Sequence, residues 1–82
     1  MALTQATDGR VTAVRGAVLD IAFDVAMLPP IDDALLITPD KGASIIVEVQ
    51  SHLDETTVRA IALQSTAGLR RGVAAHASGG RK

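Results

Sequence analysis

The chain has 82 residues, is 48% hydrophobic, carries a formal net charge of −1 and contains no cysteine. That length makes one small domain, and the missing thiols exclude disulfides, thiolate metal sites and a cysteine nucleophile. His52 and His76 stand in neither an H-x-x-x-H nor an HExxH pattern, which argues against zinc, and no run reaches the roughly 20 apolar residues of a membrane span. The N-terminal residues lack a basic segment followed by an apolar one, so no signal peptide is expected.

In chain order, nearly every segment reads as a short strand. "GRVTAVRG" (9–16) alternates, with Val11 and Ala13 on one face and Thr12 and Val14 on the other. Gly16 then supplies a tight turn or bulge before "AVLDIAFD" (17–24), whose Leu19, Ile21 and Phe23 share a face. Leu28-Pro29-Pro30-Ile31 cannot lie inside a helix or strand, because neither proline has an N–H. It reads as a stiff crossover whose Leu28 and Ile31 plug the end of a barrel. "DALLIT" (33–38), the turn "PDKG" (39–42) and "ASIIVEVQSHL" (43–53) form a hairpin closed by a left-handed Gly42. "DETT" (54–57) turns into "TVRAIALQ" (57–64), and "STAGLRRG" precedes a sixth strand, "VAAHA" (73–77).

Six short strands at this spacing, with no convincing helix, predict an all-β fold: a small closed six-stranded antiparallel barrel of Greek-key type. Closure removes the exposed edges that an open sheet this short would leave. Phe23 is the only aromatic residue, so the core falls to Val, Ile, Leu and Ala. The expected organisation is a flexible N-terminus (1–8), a barrel (9–77) and a tail (78–82) of linker composition. Charge is uneven along the chain: residues 1–19 carry +1, residues 20–55 carry −7 and residues 56–82 carry +5. Such a division favours association of acidic with basic surfaces if folding does not mix the two.

Catalytic chemistry is thin. No G-x-S-x-G occurs, and the adjacent pairs Asp32-Asp33 and Asp54-Glu55 would point opposite ways on a strand. Asp20, mid-strand among apolar residues, reads as the acid of a structural ion pair with Arg59 or Arg15. "GLRRG" (68–72) lacks the Lys-Ser/Thr of a phosphate loop, and a nucleic-acid site would want exposed aromatics. The residues describe an interaction module. A free-standing oligonucleotide-binding-like barrel is the alternative.

The ordered segments "GRVTAVRGAVLDIAFD", "LPPIDDAL", "IVEVQSHLDETTVRAIAL" and "STAGLRRG" together resemble the N-terminal domain of the beta subunit of F-type ATP synthases. The resemblance runs from residue 9 to about 73. It implies a barrel in a crown of side-by-side barrels that holds the alternating alpha–beta hexamer together, beside alpha subunits and neighbouring barrels. It places the complex in the cytoplasm, peripheral to the inner membrane, with the parent subunit coupling ATP synthesis or hydrolysis to proton or sodium transport. ATP, Mg²⁺ and the catalytic groups belong to the nucleotide-binding domain that follows in that family. No catalytic, cofactor or metal residue is therefore carried over; Gly16, Asp20, Pro29, Arg59, Gly68, Arg71 and Gly72 are carried over as structural or interface positions. Asp54 replaces the usual Gly after His-Leu, and Ala67 the usual Glu before Gly-Leu. A divergent paralogue, an excised domain and a truncated gene product all fit these departures.

Overall fold

The computed structural model describes residues 7–24 and 28–77. The strands are β1 (Thr7–Arg15), β2 (Val18–Phe23), β3 (Ala34–Thr38), β4 (Ile45–His52), β5 (Thr57–Ala62) and β6 (Ala74–Ala77). They close into a barrel in the order β1-β2-β5-β4-β3-β6, and every neighbouring pair is antiparallel. The expected six-stranded closed barrel is therefore the observed fold. β1 starts two residues before the expected boundary, because Thr7 and Asp8 pair with Ala77 and His76 and so complete the closure. Residues 1–6 and 78–82 of the expected N-terminus and tail lie outside the described residues.

Period-two alternation fills the interior. Leu19, Ile21 and Phe23 of β2 face inward with Leu35 and Ile37, with Ile45, Val47 and Val49, and with Val58, all buried. Opposite these large side chains stand small ones: Leu19 pairs with Ala60, Val47 with Ala62, and Ile37 with Ala75. Such pairing of large with small lets six strands close without either voids or overlap. The extreme case is Gly9 opposite Phe23. A Cβ built on Gly9 would stand 2.6 Å from the Ala22 carbonyl oxygen and 2.8 Å from the Phe23 ring. The single aromatic ring thus occupies the space where a side chain at position 9 would be.

Two expectations fail for local reasons. The pairing of β1 with β2 shifts between Val11 and Ala13, a bulge at Thr12. Beyond it the alternation changes phase, so Val14 rather than Ala13 packs on the core. At the crossover, Leu28 packs on the core but Ile31 is 53% exposed. The Asp33 N–H donates to the Pro30 carbonyl at 3.1 Å, which puts Ile31 at the tip of a turn with Asp32 at φ 79° behind it. Ile31 does not plug the barrel.

The barrel has two ends. The entry end holds Thr7 and Ala77, the crossover 28–33 and the turn 53–56; the far end holds the Gly16–Ala17 turn and the loops 39–44 and 63–73.

Candidate functional site

On the outer wall of β1, β2 and β5, Asp20 sits directly across from Arg59. Arg59 Nε donates to Asp20 Oδ1 at 2.9 Å and Nη2 donates to Oδ2 at 3.3 Å, a two-pronged ion pair. Arg15 Nη2 approaches Asp20 Oδ2 at 3.7 Å, so both arginines anticipated from sequence attend the same carboxylate. The hydrogen bond to Asp20, and then its negative charge, push the Arg59 guanidinium above its ordinary value. Thr12 Oγ1 donates to the Asp20 carbonyl at 3.2 Å. The outward polar groups of this wall answer one another.

The wall of β3, β4 and the end of β5 does the opposite. Leu36 and Ile46 are cross-strand partners pointing outward, 41% and 45% exposed. The Leu63 N–H donates to the Ile46 carbonyl at 3.3 Å, which brings the 61%-exposed Leu63 beside them. Three large apolar side chains lie together in water, the pattern of an interaction surface. The sequence reading missed this surface. Its signal was present, since Leu36 and Ile46 occupy the outward phase of strands whose inward phase is already apolar.

The remaining predicted positions are turn elements. Gly16 (φ 58°) opens a two-residue connection between Arg15 and Val18, the glycine-first pattern of a II′ hairpin. Pro29 is buried, and its carbonyl accepts from His52 Nε2 at 2.8 Å, tying the crossover to β4. Gly68 (φ 85°) and Gly72 (φ 92°) reverse the chain before β6, with Leu69 between them packed on the core. The Gly72 N–H donates to the Val11 carbonyl at 2.7 Å, and Thr66 Oγ1 donates to the Gly16 carbonyl at 2.7 Å. Arg10, not Arg71, holds this loop: its Nη1 donates to the Gly72 carbonyl at 3.0 Å, while Arg71 is exposed. Asp54 compensates for its own unusual position. Its Oδ1 accepts from the Thr56 N–H at 2.9 Å, and that bond lowers its pKa below the ordinary value.

A network that sequence could not reveal joins three strands. His76 Nδ1 donates to Asp8 Oδ1 at 2.8 Å, and Nε2 shares a 3.1 Å hydrogen bond with Thr38 Oγ1. It bridges β6 to β1 and β3, the two seams that close the barrel. Among the described residues, no three of His, Asp and Glu converge to hold a metal ion.

Fold and surface together define a small closed β-barrel domain with one self-paired wall, one apolar wall and glycine-set turns. The family description that matches residues 11–79 is the ATP synthase alpha/beta family, beta-barrel domain. ATP synthase subunit beta 3 of Paraburkholderia xenovorans (strain LB400) is 68% identical over 72 residues, which is 88% of this chain and 15% of that protein. ATP synthase subunit beta 1 of the same strain is 57% identical over 75 residues, 92% of this chain and 15% of the relative. Subunit beta 2 of Burkholderia thailandensis is 57% identical over 74 residues, 90% and 14% respectively. The chain belongs to the ATP synthase alpha/beta family, as its β-barrel domain. It spans about 15% of the length of the relatives it matches.

Proposed function

We propose that this barrel is the N-terminal assembly domain of the beta subunit of an F-type ATP synthase, holding an alpha–beta ring together from its side walls. One observation carries the reading: a barrel 68% identical to a beta subunit sets Leu36, Ile46 and Leu63 side by side in water on one wall. The partners are the barrels of alpha subunits that stand beside it in the ring. The barrel itself is non-catalytic and binds no cofactor. ATP and Mg²⁺ are handled by the domain that follows in a full-length beta subunit, where synthesis or hydrolysis is coupled to proton or sodium transport. No helix among the described residues is long and apolar enough to cross a membrane, and the reading places the barrel in a complex peripheral to the inner membrane, on its cytoplasmic side.

Size-exclusion chromatography of the chain with an alpha-subunit N-terminal barrel tests this. A mixed complex that Leu36→Lys and Ile46→Lys weaken is the expected result. Absence of any complex, or a complex indifferent to both substitutions, would overturn it. ATP turnover by the purified chain would separately refute the non-catalytic part.

A further inference from the structure

The charged side chains of the barrel are sorted along its axis. Asp8, Asp24, Asp32, Asp33, Asp54 and Glu55 all belong to the entry end, either in its turns or at strand termini that reach it. The far end carries Lys41, Arg70 and Arg71 in its loops, and Arg10 reaches the same loop through its bond to the Gly72 carbonyl. Asp40 is the one acid in the far-end loops. Folding mixes the acidic middle and basic last third only in part: Arg59 pairs with Asp20, Asp40 stands beside Arg70 and Arg71, and Arg10 also lines a groove with Asp8 and Asp24, while the other turn charges stay at opposite ends. Both acidic turns, 28–33 and 53–56, fall at one end because an even number of strands separates them, while the basic loop 63–73 precedes a strand running the other way.

Arg10, Arg70 and Arg71 line one groove together with Thr38, Val73 and Asp40. Among the described residues, ion pairs form at Asp20 and at Asp8, and none forms at Arg10, Lys41, Arg70 or Arg71. Arg10 is fixed in direction by its bond to a backbone oxygen, so its charge is presented at little further ordering cost. The positive side chains extend from the groove to the neighbouring loop that carries Lys41.

We propose that the far end of the barrel docks an acidic polypeptide surface. Charge complementarity identifies the occupant. Positive groups spread over two loops match a partner with several spaced carboxylates better than a single small anion. A single-stranded nucleic acid would need aromatic platforms for its bases, and Phe23, the only aromatic residue, is 3% exposed inside the core. An anionic membrane would need apolar side chains to insert, and the arginine groove offers only Val73 and Ala74. Leu63 of the apolar wall opens the loop that carries Arg70 and Arg71, but none of Leu36, Ile46 and Leu63 lines the arginine groove, and the proposal does not rest on the assembly reading.

Poly-L-glutamate serves as the probe, titrated into the isotope-labelled 82-residue chain at low salt, with oligo-dT and phosphatidylglycerol vesicles as parallel arms. Amide shifts are expected at residues 40–42 and 68–72, with residues 31–33 and 53–56 unmoved. Affinity falls roughly tenfold when salt is raised through the range in which screening lengths shrink to about 8 Å. Arg70→Glu with Arg71→Glu weakens binding about tenfold or more, and Lys41→Glu on the separate loop weakens it less, each with a dispersed spectrum showing an intact fold. No shifts with poly-L-glutamate, shifts at the acidic end, or undiminished binding by both variants would overturn the proposal. So would tighter binding of oligo-dT or of the vesicles. Salt-labile self-association that the double variant abolishes would support it, with the acidic end of a second copy as the docked surface.

Discussion

The β1–β2–β5 wall and the β3–β4 wall are made from strands of the same alternating kind, yet their outward faces end up differently. On the first, Asp20 is gripped by Arg59 and approached by Arg15, so its polar groups have partners within the fold. On the second, Leu36, Ile46 and Leu63 have none. Their inward neighbours Leu35, Ile45 and Val47 already fill the core, and a strand residue cannot serve both faces. Among the described residues nothing covers them. Full burial of such a side chain is worth about 1.5–3 kcal/mol. Three side chains that are roughly half exposed therefore offer roughly 3 kcal/mol between them, below the 4–15 kcal/mol that association costs. The apolar wall alone does not hold two barrels together, so polar contacts around it must contribute to any complex that they form.

The comparison breaks most severely if the shared interior is disturbed. Gly9→Ala places a methyl group 2.6 Å from the Ala22 carbonyl, a backbone atom that cannot swing aside, and 2.8 Å from the Phe23 ring. A loss of about 1–3 kcal/mol is expected, read as a lower urea midpoint. Because the barrel is one closed sheet, signals from both walls should be lost in a single transition. Separate transitions for β2 and β3 amides would show that the walls are not one cooperative unit.

A smaller loss, arising on the paired wall, is expected for Asp20→Asn. The amide keeps the shape but leaves Arg59 and Arg15 beside a neutral group. Arg59 is 38% exposed, so water already screens much of the attraction. The diagnostic is salt: added salt should narrow the gap in melting temperature between wild type and variant. A gap unchanged by salt would mean that packing, not charge, holds this wall.

The paired wall was largely legible in the sequence, and the apolar wall was not. Asp20 stood out as an acid amid Leu19, Ile21 and Phe23, and two arginines lay at plausible outward positions. The six strands were visible because period-two alternation is local and Gly16, Gly42 and Gly72 mark turns. What escaped depended on register. No glycine marks the bulge at Thr12, so the face of Val14 was misassigned. Ile31 was expected in the barrel end, but the Pro30–Asp33 turn carries it outward. The Thr38–His76–Asp8 network joins residues up to 68 positions apart, and only the closure of β6 between β1 and β3 brings them together.

The turn joining β4 to β5 offers a milder test through pH. The Thr56 N–H holds the Asp54 carboxyl below the ordinary aspartate range. A carboxylate whose folded pKa is depressed adds stability that is present above the unfolded value and is lost as pH falls through the folded one. Wild type should therefore exceed Asp54→Asn in urea midpoint near pH 6, and the difference should be narrower at about pH 3. An equal gap at both values would assign the effect of the substitution to the shape of the turn.

The smallest effect on stability belongs to the apolar wall, and it is the sharpest test of the comparison. Leu36→Lys replaces a side chain that is 41% exposed, on a strand whose inward positions Leu35 and Ile37 are untouched. Lysine can lay its methylenes over Ile46 and keep its ammonium in water. The change in unfolding free energy should stay within about 0.5 kcal/mol, as for surface sites away from special features. If Leu36→Lys costs as much as Gly9→Ala, Leu36 is part of the core and the contrast between the walls is false. If stability holds while association with an alpha-subunit barrel weakens, the leucine serves the assembly rather than the fold. The separation follows from the strand itself, because Leu35 and Leu36 are consecutive residues pointing to opposite sides of one sheet.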